Sequence, residues 1–490
     1  MAEDAMGAPF RAPLPVLWLK IAAGLLIAGK LYLMAMSGAF MDEAYYWMWG
    51  QHPDFSYYDH PPLNAWAQGL AGALFGWNRF SLRVMVGIAI CADIAILWMF
   101  AKRLGGAAAP GLFWTTLVLF LSTPIYIAVT AVALPDHLML TFGLGALLFF
   151  HRYLAQWRAD QPTGDRDLFV AALLLGLAVL SKYNAAFIGF GVFAALLAVP
   201  RLRPLLLRWQ TYAAAGLALL VQMPVLIWNI QNGFASFSFI LTGRHEGLAQ
   251  SGDGIVPFLI SIIIFLSPFA LWPIARFVAK GEATEGEGLA RAIVLVSTLA
   301  ILFVSLFTTA LFHWNLPAYL ALLPFIAFYF RSAWLFSAHV LYGAALLVGL
   351  IVNYTIVPIG DVRQIRDEAS AWVYGWDETA ARVATLRAEH AADFIATPDY
   401  TTAALLGYAM ADRAVTSLSP RRDQFDFWFD PDAHRGATAL LFSDTWRPLR
   451  PEVEALFESI EPLESREVER LGKWLDTHTI HLARGYRGQP

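Results

Sequence analysis

The chain has 490 residues, of which 58% are hydrophobic and 15% charged, with a net charge of −4. A soluble domain carries roughly 25% charged residues and has nowhere to hide this much apolar surface, so a water-soluble globular fold is excluded. The near-neutral balance also argues against a nucleic-acid partner, and a mean hydropathy of +0.54 points to lipid as the solvent.

The first residues, MAEDAMGAPFRAPLP, lack a basic stretch and run into an apolar segment without a small-residue cleavage site, so the first span reads as uncleaved. Spans suited to a hydrocarbon core of ~30 Å are predicted at Leu14–Met36, Phe80–Phe100, Gly111–Val129, His137–Tyr153, Leu168–Ser181 and Asn184–Val199. Others follow at Tyr212–Trp228, Ile255–Ile274, Ala292–Leu311, Ala318–Tyr329 and Trp334–Val357. The expected fold is an all-α polytopic membrane domain of about eleven transmembrane helices over residues 1–358. The single cysteine, Cys91, falls inside an apolar run and reads as a small buried hydrophobe. From Gly360 charge density rises. A helical stretch at Asp377–Ala391 and strand-like runs at Phe394–Thr397, Ala437–Phe442 and Thr479–Leu482 predict a small C-terminal α/β domain over 359–490.

Lys and Arg collect in cytoplasmic loops. One set of alternate connections holds Lys102, Arg103, Arg152, Arg158 and Arg166, then Arg201, Arg203, Arg208, Arg276, Lys280, Arg291 and Arg331. The other set holds little more than Arg79, Arg244 and Lys182. This places the N-terminus in the cytoplasm and, with an odd span count, the C-terminal domain outside. The outward connections carry the chemistry-bearing residues: Asp42, Glu43, Asp54, Asp59 and His60 in the first, Asp136 and His137 in the second, Arg244, His245, Glu246 and Asp253 in a third, and His313–Pro317 in the last. Within the first loop, AYYWMW and PLNAWAQGLAGALFG read as helices lying in the interface, where Tyr and Trp prefer to sit. Between them Asp59-His60-Pro61-Pro62 forms a rigid extended turn. An aromatic belt with solvated carboxylates would explain part of this pattern, but not why acids, His and Arg recur on one face only.

The Asp42-Glu43 pair, YYDHPPL, Leu134-Pro135-Asp136, Leu180-Ser181-Lys182-Tyr183 and Trp314-Asn315-Leu316-Pro317-Ala318-Tyr319 stand in an order that resembles the GT-C-type integral-membrane glycosyltransferases of the protein O-mannosyltransferase and aminoarabinose transferase group. The resemblance is to the bacterial branch that contains lipopolysaccharide-core sugar transferases. It extends into the tail at Tyr400, Ser417–Ser419 and Arg422–Trp428.

The resemblance implies a polyprenyl-phosphate sugar as donor and an acceptor on the periplasmic face of a bacterial inner membrane. The acceptor would be a lipopolysaccharide, another glycolipid or a cell-envelope glycan, and the anomeric centre would be inverted. It implies Asp42 as general base, with Glu43 as an orienting or secondary carboxylate. Where the aminoarabinose branch has Lys in a Glu-Lys-Pro-Pro motif, this chain has His60, which is fully charged only below about pH 6.5. Arg244 is the other candidate clamp for the donor phosphate, beside His245. Asp136 is expected to cap a helix and face the sugar, and Lys182 to meet an anion near lipid. Trp314 and Asn315 are expected to stack on and hydrogen-bond a sugar ring. No cofactor is required by the sequence, although Asp59 with His245 leaves a divalent metal ion open.

A lipid-linked-sugar transporter or flippase is the main rival, but no two-half symmetry is visible. A protein O-glycosyltransferase, an O-antigen ligase-like enzyme and a polytopic scaffold are further readings. The scaffold leaves the acidic outer cluster unexplained.

Overall fold

The computed structural model describes residues 10–158, 164–241, 254–280 and 285–488. The chain opens with α1 (Val16–Met36), turns into α2 (Met41–Gln51), and passes through α3 (Leu63–Phe75) to α4 (Arg79–Gly105). Gly106, at φ +50°, turns the backbone so that α5 (Ala109–Ser122) packs back along α4. Next come α6 (Pro124–Val129), α7 (Pro135–Arg158), α8 (Arg166–Ser181) and α9 (Ala186–Ala198). The chain continues through α10 (Trp209–Leu220), α11 (Met223–Gln231), α12 (Ala235–Leu241), α13 (Ile255–Leu266) and α14 (Leu271–Ala279). The last membrane-domain helices are α15 (Glu285–Ser305), α16 (Leu316–Ile326) and α17 (Ala333–Ile351).

Among the described residues five helical stretches are long and apolar enough to cross a membrane, and up to eight if each of three bent pairs is one span. The sequence expected about eleven. Proline accounts for much of the difference, because it removes a backbone donor and clashes with the preceding turn. Pro124 divides the expected Gly111–Val129 span into α5 and α6, α10 and α11 bend by 47° just before Pro224, and α13 and the Pro268–Ala279 segment bend by 86°. The expected Ala318–Tyr329 span is the 11-residue α16, buried along its whole length inside the bundle. Cys91 corrects the reading of a buried thiol: it lies on the exposed face of α4.

The tail carries a five-stranded sheet of β1 (Phe394–Thr397), β2 (Thr416–Ser417), β3 (Ala439–Ser443), β4 (Ser459–Arg470) and β5 (Lys473–Arg484), in the order β2-β1-β3-β5-β4. β1 pairs in parallel with β2 and β3, while β5 is antiparallel to β3 and β4. Helices Trp376–His390 and Tyr400–Met410 flank the sheet, and the second packs on α2. Two cores result. One fills the helical bundle, and the other is shared between α2 and the tail, with Trp47, Met48 and Trp49 beside Leu405, Phe425 and Phe442.

One ionic junction sets where α2 begins. The last carbonyls of a helix have no partner within it, and Arg83 of α4 takes up those of Met34, near the end of α1, and of the two residues that follow the helix. Its Nη1 donates to the carbonyls of Met34 (2.7 Å) and Ser37 (3.1 Å), and Nη2 to that of Gly38 (2.7 Å). The same guanidinium grips Glu43 through Nε (2.8 Å) and Nη2 (2.6 Å). Glu43 in turn accepts from the backbone N–H of Ala133 (2.9 Å) and reaches back to that of Phe40 (3.3 Å), the half of a capping box that a phenylalanine N-cap allows. Arg83 and Glu43 are 3% and 0% exposed, so removing either partner strands a buried charge. Glu43→Ala is therefore expected to cost roughly 3–5 kcal/mol, read as a large fall in the thermal midpoint of the detergent-purified protein. Asp42→Asn, one residue away, should leave the midpoint unchanged.

Candidate functional site

The junction fixes the first turn of α2 and with it Asp42. Residues three and seven further on, Tyr45 and Trp49, share its face, and Tyr46 stands beside them. Asp42 is half-buried, whereas every residue from Glu43 to Trp49 is buried. The Tyr45 hydroxyl donates to Asp59 (2.8 Å) and accepts from the backbone N–H of Gln424 in the tail (2.9 Å). Burial, then the charges of Asp59 and Asp423, push this phenol well above its ordinary value, so it stays a donor. Tyr400 of the tail lies over Tyr45 with ring centroids 4.7 Å apart. Its hydroxyl is pushed up by burial and then by the charges of Asp42 and Asp59, which places both carboxylates around it. Tyr46 meets His60 edge-on at 5.7 Å, and the Tyr58 backbone N–H donates to the side chain of Gln424 (2.7 Å). The first loop and the tail thus close over one acidic, aromatic face.

Beside this face His60, Lys182 and Trp314 line one cavity of about 190 Å³ together with Tyr183 and Asn184. Three expected site residues from separate connections meet here. Phe187, Ile240, Ile301 and Val304 make the remaining wall, so the space is polar on one side and apolar on the other. Lys182 marks the break after α8, and its ammonium lies 2.6 Å from Asp136 at the start of α7, both groups being buried. Asp136 therefore joins two helices besides favouring the N-terminus of its own. The Ser181 hydroxyl donates to the Pro135 carbonyl (2.6 Å) and Asn184 donates to the Trp314 carbonyl (2.9 Å), which pins the three connections to one another.

Two expected residues are placed differently. Glu43, with both oxygens in the junction to Arg83 and the Ala133 turn, cannot meet a substrate without breaking that junction. Asn315 was expected to bond a sugar, but its amide is occupied within the bundle: Ser297 donates to it (2.8 Å) and it donates to Thr298 (3.0 Å). A 1% exposed side chain held at both ends is structural. Arg244, His245, Glu246 and Asp253 lie outside the described residues, as does the Asp59–His245 metal pairing. Among the described residues no group of three His, Cys, Asp or Glu is gathered as a metal site.

Sequence reasoning missed Arg83, hidden in an apolar run where a charge is costly unless it is paired. For the tail segment Arg421–Trp428 it expected a cover over the site or a part in acceptor choice, without singling out Arg421 and Arg422. The Arg421 guanidinium lies 5.2 Å from the Phe239 ring and 6.0 Å from the Tyr400 ring, and Arg422 lies 4.6 Å from Phe427. Both are exposed cations on the tail loop that overhangs the acidic face. Their signal was adjacent arginines in SPRRDQFDF, a loop too far along the chain to connect to Asp59 by sequence alone.

Comparison with known proteins agrees with this geometry. The family model for dolichyl-phosphate-mannose-protein mannosyltransferases matches residues 59–228. The lipid A galacturonosyltransferase RgtD of Rhizobium johnstonii is 29% identical over 302 residues, covering 58% of this chain and 58% of that protein. The lipopolysaccharide core galacturonosyltransferase RgtA of the same organism is 25% identical, covering 55% and 54%. The chain thus spans little more than half the length of these curated relatives. Among solved structures, ArnT from Cupriavidus metallidurans bound to undecaprenyl phosphate superposes with a TM-score of 0.64 over 95% of this chain and 98% of that one, at 14% identity. The chain is thus similar in part of its sequence to dolichyl-phosphate-mannose-protein mannosyltransferases and to bacterial lipopolysaccharide galacturonosyltransferases, and it shares the fold of the ArnT structure.

Proposed function

We propose that this chain transfers a sugar, a hexuronic acid such as galacturonic acid, from a polyprenyl-phosphate donor to a hydroxyl of lipid A or core oligosaccharide. The site would face the periplasm of a bacterial inner membrane. One observation carries the reading: the acidic face of α2 adjoins a cavity with His60, Lys182 and Trp314 on one side and Phe187, Ile240, Ile301 and Val304 on the other. A lipid phosphate needs both surfaces at once. The names of the galacturonosyltransferase relatives and the ligand in the ArnT structure support the same chemistry.

In this reading Asp42 takes the proton of the acceptor hydroxyl as its oxygen bonds to the anomeric carbon. The bond from that carbon to the phosphate oxygen breaks with inversion, and polyprenyl phosphate leaves with the electron pair. His60 and Lys182 stabilise the departing phosphate, with Arg244 and His245 as further candidates on the third outer connection. Trp314 bounds the sugar and Asp136 holds Lys182. Glu43 acts as a positioning residue that sets Asp42 through the first turn of α2. Arg421 and Arg422 bind anionic groups of the acceptor. In this reading the N-terminus is cytoplasmic and the tail periplasmic, in keeping with the collection of Lys and Arg in one set of alternate connections.

Asp42→Asn keeps shape and removes the base. With polyprenyl-phosphate galacturonic acid and lipid A as substrates, turnover should fall by ~10²-fold or more while donor binding persists. Unchanged turnover would remove Asp42 from the mechanism. Transfer to protein in place of lipid A would favour the protein O-glycosyltransferase reading, and lipid movement across vesicles without transfer the flippase. Parallel reactions with and without EDTA address the Asp59–His245 metal question. The double variant Arg421→Ala/Arg422→Ala should raise KM for a phosphorylated acceptor by about tenfold, with kcat and thermal midpoint little changed, since exposed substitutions cost within about 0.5 kcal/mol.

A further inference from the structure

The end of the molecule opposite the acidic face holds a cavity of about 880 Å³ that the proposed reaction does not use. Its cationic lining is Arg11, Arg276, Lys280 and Arg331, drawn from the segment before α1, the end of α14 and the connection between α16 and α17. Glu287 supplies a single carboxylate, 1% exposed, and it is occupied by Lys280 (3.5 Å) and the Tyr329 hydroxyl (3.0 Å). Among the described residues no carboxylate lies within ion-pair distance of Arg11, Arg276 or Arg331, leaving three guanidiniums around one space. Phe10, Phe328 and Phe330 give it an apolar side.

The depth of the cavity in a membrane follows from its neighbours. Trp272 and Trp334 are 61% and 68% exposed, and both flank the lining cations in sequence. Trp272 stands one turn before Arg276, whose guanidinium lies 6.0 Å from the indole ring, and Trp334 follows three residues after Arg331. Exposed tryptophans of polytopic proteins sit at headgroup level, and basic pockets between helices at that level suit anionic headgroups. A topology signal alone would need cations in these loops. It would not need residues so far apart in the chain to converge on one cavity of ligand size.

We infer that this cavity binds the phosphate headgroup of an anionic phospholipid of the adjacent leaflet, with Arg11, Arg276 and Arg331 as its ligands and the phenylalanines against the upper acyl chains. The headgroup would brace α14, α16, α17 and the N-terminal segment.

The full chain, purified in a neutral detergent, is titrated with phosphatidylglycerol, with phosphatidylcholine and with inorganic phosphate, reading bound lipid by native mass spectrometry and the thermal midpoint. Phosphatidylglycerol is expected to bind and raise the midpoint. Arg276→Gln/Arg331→Gln should weaken it at least tenfold, whereas Arg203→Gln, a basic residue outside the cavity, should not. Because both substituted residues are exposed, folding should survive, and Arg276→Gln alone is the fallback. Equal affinity in the double variant, equal binding of phosphatidylcholine, or inorganic phosphate binding as tightly as the lipid would each overturn the proposal.

Discussion

The architecture of the site depends on one guanidinium. Arg83 takes up carbonyls at and just beyond the end of α1 and clamps the carboxylate that opens α2. It does so from within α4, and Glu43 extends the link to the turn before α7 through Ala133. A planar fork with five donors can serve several acceptors at fixed angles, which a lysine could not. Four chain segments are registered by one buried junction. Asp42 inherits its position from that register, because it is the residue before Glu43 in the same helical turn.

On this frame the tail is part of the site and not an appendage. The α2 face is too aromatic to face water unaided, and Tyr400, Phe425 and Tyr408 cover it. Close packing fixes the spacing: a Cβ at Gly38 would collide with the Val373 carbonyl, and one at Gly407 with the end of Met48. The hydrogen bonds across the boundary come from Tyr45, Gln424 and Tyr58, so the same contacts that bury the aromatic layer also hold Asp59 and its turn. Covering the site and shaping it are one set of interactions.

Much of this was legible from the residues. Apolar runs announced the bundle, and the composition change near Gly360 announced a sheet whose β1, β3 and part of β5 are apolar enough to read. β4 was not legible, since Ser459–Arg470 is a polar edge strand whose charges keep an open edge from pairing elsewhere. The expected spans and the long helices differ in number because proline breaks and the short buried α16 divide apolar runs that composition alone reads as continuous. For the candidate site, motif order pointed to Asp42, His60, Lys182 and Trp314, but a motif does not say which polar groups are consumed by packing. Glu43 and Asn315 read as reactive for the same reason they are structural: a polar side chain in apolar surroundings must be satisfied. Arg83 was invisible because its partner lies forty residues away.

The two buried ion pairs near the site differ in what they permit. Arg83–Glu43 is saturated, with the guanidinium spread over three carbonyls and both carboxylate oxygens. Loss of any one contact leaves a buried group unsatisfied, so the pair is suited to fixing geometry. Lys182–Asp136 is a single Nζ–Oδ contact at the wall of a cavity. An ammonium is a point charge on a flexible stem with three donors that can be re-aimed. An anion entering that cavity would meet a buried cation held at its wall by Asp136. Desolvation makes that attraction strong. One pair is rigid and the other adjustable, a difference that follows from Arg at one position and Lys at the other.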